Sequence, residues 1–362
     1  MRTTLHDLKK SSQYGILRSG RSGDDWSDVS STGSKIIGAG HYQPPRVLTN
    51  SDLADLVDTT DEWIRSRVGI QTRHIAGDED PVDVMAAKAA SAALANAGVA
   101  ESEVDLVLVA TCTAVDRSPN MAARVAARTG MRSPATIDIN VACSGFSHAL
   151  AIADQAIRTG SATTAVVIGC ERLSDWTDWT DRTTCVLVGD GAGAVVVRPS
   201  SQADIGPVLW GSVPEMADAV RIEGRHGTFE QAGLSVFRWA TTVLPTVACQ
   251  ICDLAGVKPE DLAGVVTHQA NLRIIEPLAA KLGAVNAVIA TDVIESGNTS
   301  SASVPLAFSK LLAVHAIRPN GPVLLFGFGG GLSYAGQIVS FPDPDPHDRT
   351  SRRAPSIGAH LL

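Results

Sequence analysis

The sequence predicts an α/β fold, in which helices cover mostly parallel sheets. Three observations predict it. Strand-like and helical segments alternate along the chain, and the alternation runs through twice, the two series meeting near Pro199 to Pro207. Three polar residues, Cys143, His268 and Asn298, each stand at the end of a strand-like stretch. Sites of α/β proteins are built at the carboxyl ends of strands, so this last placement joins fold to function.

In the first series, Val104 to Thr111 is an apolar run of strand length, Met121 to Gly130 has helical spacing, and Thr164 to Ile168 is again a strand. The short apolar run Ala135 to Val141 leads into Cys143, after which Phe146, Leu150, Ala153 and Ile157 recur at helical spacing. Cys185 to Val188 and Ala194 to Val197 read as two strands joined through Gly189-Asp190-Gly191-Ala192-Gly193. The second series predicts a helix over Val236 to Ala255 and a strand ending in Val266. A helix through Ile274, Leu278 and Leu282 and a strand at Ala287 to Ala290 follow. A helix over Ser301 to Ile317 and strands at Pro322 to Phe326 and Leu332 to Phe341 complete the series.

At 362 residues the chain can bury two similar-sized units, expected at 34–202 and 203–342. Its 44% hydrophobic and 19% charged content is that of a soluble globular enzyme. No stretch is long and apolar enough to predict a membrane span, and a net charge of −8 argues against non-specific nucleic-acid binding. Met1 to Gly33 is polar and lacks the apolar segment of a secretory signal; it reads as a disordered tail, and 343–362 as a flexible one. Six cysteines scattered through apolar segments suit a reducing, cytoplasmic setting. Cys249-Gln250-Ile251-Cys252 lies in a helical pattern with no second pair, and reads as core packing rather than a metal or redox site.

A lone buried cysteine is usually packing, but Cys143 opens a helix, where the positive end of the macrodipole favours a thiolate. His148, five residues further along that helix, points about 140° away and is not expected to serve as its base. Val265-Val266-Thr267-His268 and Gly297-Asn298-Thr299-Ser300 offer it a His and an Asn; Gly297 permits a sharp turn, and the small residues after Asn298 permit close approach. The two glycine runs, 189–193 and 327–331, each lead into a strand. A dinucleotide fingerprint needs a helix there, so no nicotinamide or flavin is expected.

These segments together resemble the β-ketoacyl-[acyl-carrier-protein] synthase III family of thiolase-like condensing enzymes. The resemblance is carried by Thr59-Thr60-Asp61-Glu62-Trp63-Ile64 with Arg67-Val68-Gly69-Ile70, Ala142-Cys143-Ser144-Gly145-Phe146 and Asp181-Arg182. It continues through Gly189-Asp190-Gly191-Ala192-Gly193-Ala194, His268-Gln269-Ala270-Asn271-Leu272-Arg273, Gly297-Asn298-Thr299-Ser300 and Gly329-Gly330-Gly331, and spans about Ser34 to Phe341. It implies a five-layer αβαβα sandwich of two duplicated halves, forming a homodimer. It implies decarboxylative Claisen condensation of an acyl-CoA primer with malonyl acyl carrier protein, with no tightly bound cofactor and no metal. Cys143 would be the nucleophile, completed by His268 and Asn298, with the N–H groups of Cys143 and Gly330 as the oxyanion hole. Trp63, Arg67, Arg182, Phe237 and Asn271 match coenzyme A-binding positions, with Gly233 near the pantetheine arm. Arg238 and Arg273, with Lys281, would form the basic patch that meets the carrier protein.

The chain departs from the family between Arg182 and Phe237, where it is shorter, and in three tryptophans, Trp176, Trp179 and Trp210. Ser118 stands where a partner subunit closes the acyl pocket, and its small side chain leaves room for longer acyl groups. The competing reading is an acyltransferase of the same fold that passes the acyl group from CoA or carrier protein to a non-malonyl acceptor. Asn298 favours condensation, because an enolate needs a second donor.

Overall fold

A computed structural model describes Gly33 to Asp343 except Arg225. The terminal segments read as tails lie outside the described residues, apart from Gly33 and Asp343. Two five-stranded sheets organise the described chain. The first runs in the order Gly33–Tyr42, Asp190–Ser200, Ala165–Arg172, Leu106–Ala110, Ala135–Ile139. The second runs Leu209–Ser212, Ser333–Ser340, Pro322–Gly329, Gly264–Thr267, Val288–Ile289.

Counted within its own half, each sheet has the order first, fifth, fourth, second, third. In both, the first, fifth and fourth strands pair antiparallel, and the fourth, second and third pair parallel. Two sheets of one topology in one chain are a duplication.

Between the sheets lie the helices Gly145–Arg158 and Ser303–Ala313, buried nearly all round in a single core with residues of both sheets. Val82–Ala97 and Met121–Thr129 cover the outer face of the first sheet. Leu244–Ala255 and Leu272–Leu282 cover that of the second. The result is the five-layer αβαβα sandwich. Among the described residues no helix is long and apolar enough to cross a membrane.

The middle layer needs close approach. A Cβ on Gly193 would lie 2.3 Å from the Leu306 nitrogen, and one on Gly189 would lie 2.2 Å from the Ser296 oxygen. The first glycine run is therefore bare so that the segment carrying Asn298 and the helix after it can press against the first sheet. Asp190 within that run is buried and accepts from Ala76 N and from Ser174 N and Oγ, which ties loops together.

Several segments differ from their sequence reading. Cys185 to Val188 is not a strand: Cys185 to Leu187 are turns, with Cys185 N–H donating to Asp181 O and Leu187 N–H to Thr184 O, and Val188 makes only an isolated bridge to Asn298. Its apolar residues are buried because they fill a core cluster, not because they pair in a ladder. The expected helix Val236 to Ala255 is two, Gly233–Thr242 and Leu244–Ala255; Pro245 in the first turn of the second lacks the N–H that would continue the first. The expected helix over Ser301 to Ile317 is shorter, Ser303–Ala313, with Ser300–Ala302 a 3₁₀ turn. Cys249 and Cys252 are free and sit on the helix Leu244–Ala255, Cys252 in the core.

Candidate active site

Cys143 sits in a 3₁₀ turn, Ala142–Ser144, between the strand Ala135–Ile139 and the central helix Gly145–Arg158. Ala142 has φ 44, the left-handed region unusual for a residue with a Cβ, so backbone strain is concentrated just before the thiol. The Gly329–Gly331 turn lies directly over it. A Cβ on Gly329 would fall 2.7 Å from Cys143 Cβ and 2.8 Å from its sulfur, and one on Gly330 would fall 2.9 Å from Ala142 Cβ. The second glycine run is thus bare for the thiol's sake, and the Gly330 N–H lies within hydrogen-bonding reach of Cys143. The expected lowering of the thiol by the helix terminus is not what prevails. Burial pushes the Cys143 thiol up, against hydrogen bonds from Ser300 and the Gly330 backbone that pull it down.

A cavity of about 160 Å³ opens beside Cys143. Cys112, Asn298 and Ser300 line it with Cys143, and Leu173, Val220, Ile222 and Phe229 supply apolar wall. Asn298 is buried, and its Oδ1 accepts from the Ser300 N–H at 2.9 Å. That contact uses the carbonyl side of the amide and leaves its NH₂ to donate. Beneath this loop Arg73, fully buried, donates to Val186 O and Asn50 Oδ1, and burial lowers its guanidinium to about 10.

His268 ends the strand Gly264–Thr267, buried, with its ring edge-on to Phe328 at a centroid distance of 5.6 Å. Its Nδ1 is 2.8 Å from Ser303 Oγ, a hydroxyl that already accepts from Gln269 N. Donation from Ser303 to Nδ1 places the imidazole proton on Nε2, a tautomer inferred from this network. Desolvation drops the His268 pKa to about 3, so the ring is neutral at ordinary pH and can donate without being charged. His148 is engaged elsewhere: Nδ1 donates to Ser144 O, and the ring stacks on Trp210 at 5.6 Å.

Most of the remaining candidates fall into two groups. In the first, Thr60 caps the helix Asp61–Val68 and the Arg182 guanidinium lies 5.0 Å over the Trp63 ring. Asn271, which caps Leu272–Leu282, donates to Arg67 O at 3.5 Å, so Trp63, Arg67, Arg182 and Asn271 converge from both halves. In the second, Arg273 lies 5.6 Å over Phe237, with Arg238 exposed beside it and Gly233 opening their helix. Lys281 donates to Thr241 O. Ser118 is exposed on a loop and does not line the cavity. Trp179 donates to Ser174 O and packs in the same cluster as Phe229; the Trp176 carbonyl accepts from Phe229 N.

Sequence reasoning missed Glu171. It is fully buried, with six donors within 3.4 Å and no cation paired with it among the described residues.

The description 3-oxoacyl-[acyl-carrier-protein] synthase III matches residues 137–214, and that family's C-terminal description matches residues 252–341. A β-ketoacyl-[acyl-carrier-protein] synthase III of Streptomyces avermitilis is 67% identical over 313 residues, which are 86% of this chain and 99% of that protein. The chain belongs to the 3-oxoacyl-[acyl-carrier-protein] synthase III family. A mycobacterial family member from Mycobacterium marinum is 44% identical over 88% of this chain and 98% of its own. Among solved structures, a priming β-ketosynthase from the R1128 polyketide biosynthetic pathway superposes with a TM-score of 0.85 at 38% identity, covering 87% of this chain and 98% of that one. The Aquifex aeolicus synthase III gives 0.81 at 39%, covering 85% and 100%.

Proposed function

We propose that this chain condenses an acyl-CoA primer with malonyl acyl carrier protein, through an acyl group held on Cys143. The observation that carries the reading is a thiol and an Asn amide opening into one largely apolar cavity, with a backbone N–H from a glycine turn against the sulfur. In the first half-reaction the Cys143 sulfur attacks the thioester carbonyl and the bond to the CoA sulfur breaks. The oxygen that gains charge meets the N–H groups of Cys143 and Gly330. In the second, the malonyl carboxylate leaves as CO₂, and the electron pair of the broken C–C bond becomes an enolate. His268 Nε2–H and the Asn298 amide donate to its oxygen, its carbon attacks the acyl carbonyl, and the Cys143 thiolate departs. The electrons for the new bond come from the bond that broke, so no bound cofactor is called for.

Two neutral donors suit this work better than a charged pair, because the site must receive a carboxylate and then release CO₂. The same Asn298 favours condensation over transfer to an alcohol or amine, since an acceptor of that kind forms no enolate. Trp63, Arg67, Arg182, Phe237 and Asn271 are proposed to hold coenzyme A: an indole face for the adenine and guanidinium groups for phosphate. Arg238 and Arg273 are proposed to meet the acidic carrier protein, on a chain that is itself acidic. A homodimer is supported by the edge strand Ala135–Ile139, where Ile137 is 43% exposed, and by Val115, 74% exposed on the loop that carries Ser118.

Peptide mapping after incubation with acyl-CoA tests the nucleophile. The added acyl mass should sit on the peptide containing Cys143 and vanish entirely in Cys143→Ala. An acyl group still found on that peptide in the variant would overturn the assignment.

A further inference from the structure

The acyl transfer has a proton to dispose of. The Cys143 thiol is raised by burial, so it enters the reaction protonated, and His268 is a poor acceptor, neutral and engaged at Nδ1 by Ser303. Around Cys143 the other charged or titratable groups are few. Cys112 and Glu171 stand at strand ends of the first sheet, and Arg221 on the cavity wall is occupied by Glu230 at 2.7 Å.

Glu171 is connected to two residues of the thiol's cavity wall, Cys112 and Ser300. Its Oε1 is 3.2 Å from Ser300 Oγ and 2.7 Å from Ser301 Oγ, and its Oε2 accepts from Thr113 Oγ1 at 2.7 Å and Thr111 Oγ1 at 3.1 Å. The Cys112 N–H donates to both oxygens, and its thiol to Oε1. Ser300 lines the cavity beside Cys143 and pulls its thiol down, and the Ser300 hydroxyl lies 3.8 Å from the Cys112 sulfur. Ser300 is held for this with φ 47, a strained left-handed backbone, while its N–H secures Asn298. Neutral donors alone surround a buried carboxyl, and burial raises its pKa. Such a group takes up a proton more readily than an exposed carboxylate does.

We propose that Glu171, acting through the Ser300 hydroxyl, receives the proton that Cys143 loses on attacking the acyl thioester and returns it to the departing CoA thiol. The S–H proton passes to Ser300 Oγ as the Ser300 O–H proton passes to Glu171 Oε1. The new sulfur–carbon bond forms, the carbon–sulfur bond to CoA breaks, and the CoA sulfur takes a proton back along the same path. The relay runs from the ionised form of Glu171 and restores it, and no proton is gained or lost in this half-reaction. Ser300 lines the cavity with the reacting sulfur; Glu171 is a positioning residue that works through it. The proposal rests on the reading of Cys143 as the acylated nucleophile.

Two reactions of the same thiol separate this role from a structural one. Acylation by acetyl-, butyryl- and octanoyl-CoA, followed by rapid-quench intact mass, needs the proton removed in step with attack. Alkylation by iodoacetamide across a pH series reports only the thiolate present. In Glu171→Gln, acylation should slow about a hundredfold, while alkylation at neutral pH holds or quickens, since a negative charge beside the thiol has been removed. Ser300→Ala, which keeps the N–H that Asn298 uses, should slow acylation similarly, and the double variant no further. Unchanged acylation in Glu171→Gln or Ser300→Ala would overturn the relay. So would a parallel fall of acylation and alkylation, which marks a disturbed structure. A wild-type protein that takes no acyl group from any of the three would overturn the condensation reading itself, and the relay with it.

Discussion

The duplication sets two strand ends side by side. In the first sheet Ala110 pairs with Gly169; in the second, Thr267 pairs with Phe326. One residue on stands Thr111 in the first half and His268 in the second; two residues beyond Gly169 is Glu171, and two beyond Phe326 is Phe328. The equivalent pairs are therefore Thr111 with Glu171 and His268 with Phe328. The first half places a carboxyl among hydroxyls, and the second places an imidazole against an aromatic ring. Burial drives both toward their neutral forms, Glu171 by raising its pKa and His268 by lowering it to about 3. The duplicated pair of strand ends carries an acid on its fourth strand in one half and an imidazole on its second strand in the other, with opposite proton chemistry.

Breaking the second half should cost most. His268→Ala and Asn298→Ala should each slow malonyl decarboxylation about 10²–10³-fold, the usual price of one oxyanion donor, and acyl transfer far less. Release of labelled CO₂ beside the acylation rate measures the split. Equal loss in both half-reactions for Asn298→Ala would make that residue structural.

The coenzyme A candidates draw on both halves, and there the expected loss is smaller. Arg67→Ala and Arg182→Ala should raise the KM for acyl-CoA roughly tenfold, about 1.4 kcal/mol, with kcat little changed, because these side chains are remote from the reacting carbonyl. An unmoved KM in both would make them surface charges.

Opposite pKa shifts predict opposite pH limbs. Unfolded His268 binds its proton near 6.5 and folded His268 only near 3, so its contribution to stability is full above pH 6.5 and is lost as pH falls from there toward 3. Glu171 holds its proton to higher pH when folded than the ordinary 4.5, so its contribution is present below 4.5 and is lost as pH rises through the folded value. Urea midpoints should show His268→Gln flattening the acid limb by up to about 1.4 kcal/mol per pH unit, and Glu171→Gln gaining on wild type as pH rises. Parallel curves would contradict the shifts.

A last effect is expected at Ser118 across the proposed dimer. A Phe there, entering the partner subunit's acyl pocket, should shift the accepted primer toward shorter chains, each excluded methylene worth roughly 0.8 kcal/mol. Competition among acetyl-, butyryl- and octanoyl-CoA reads it. An unmoved profile would turn attention to Phe229, Val220 and Ile222, which line the cavity from the segment before Phe237.

How much of this was legible in sequence follows from the range of each interaction. Apolar periodicity marks strands and helices locally, so the alternation and the strand-end positions of Cys143 and His268 could be read directly; Asn298, expected at a strand end as well, instead follows the short helix Val293–Ser296. Cys185 to Val188 misled because burial in a turn and burial in a strand leave the same apolar run. The break at Val243 could have been read from Pro245. Glu171 could not. It is a single acid at the end of an apolar strand, and its partners Thr113 and Ser301 lie 58 residues before and 130 residues after it. No local pattern carries that meeting.

The central claim is that one acyl group sits on Cys143 and leaves it for a carbanion. The protein should be loaded with acyl-CoA, freed of excess, and given malonyl acyl carrier protein while intact mass and CO₂ are followed together. The account predicts that the acyl mass disappears one-for-one with CO₂ release and reappears, lengthened by two carbons, on the carrier. An acyl mass that persists with malonyl carrier but is discharged by an alcohol or amine would contradict it.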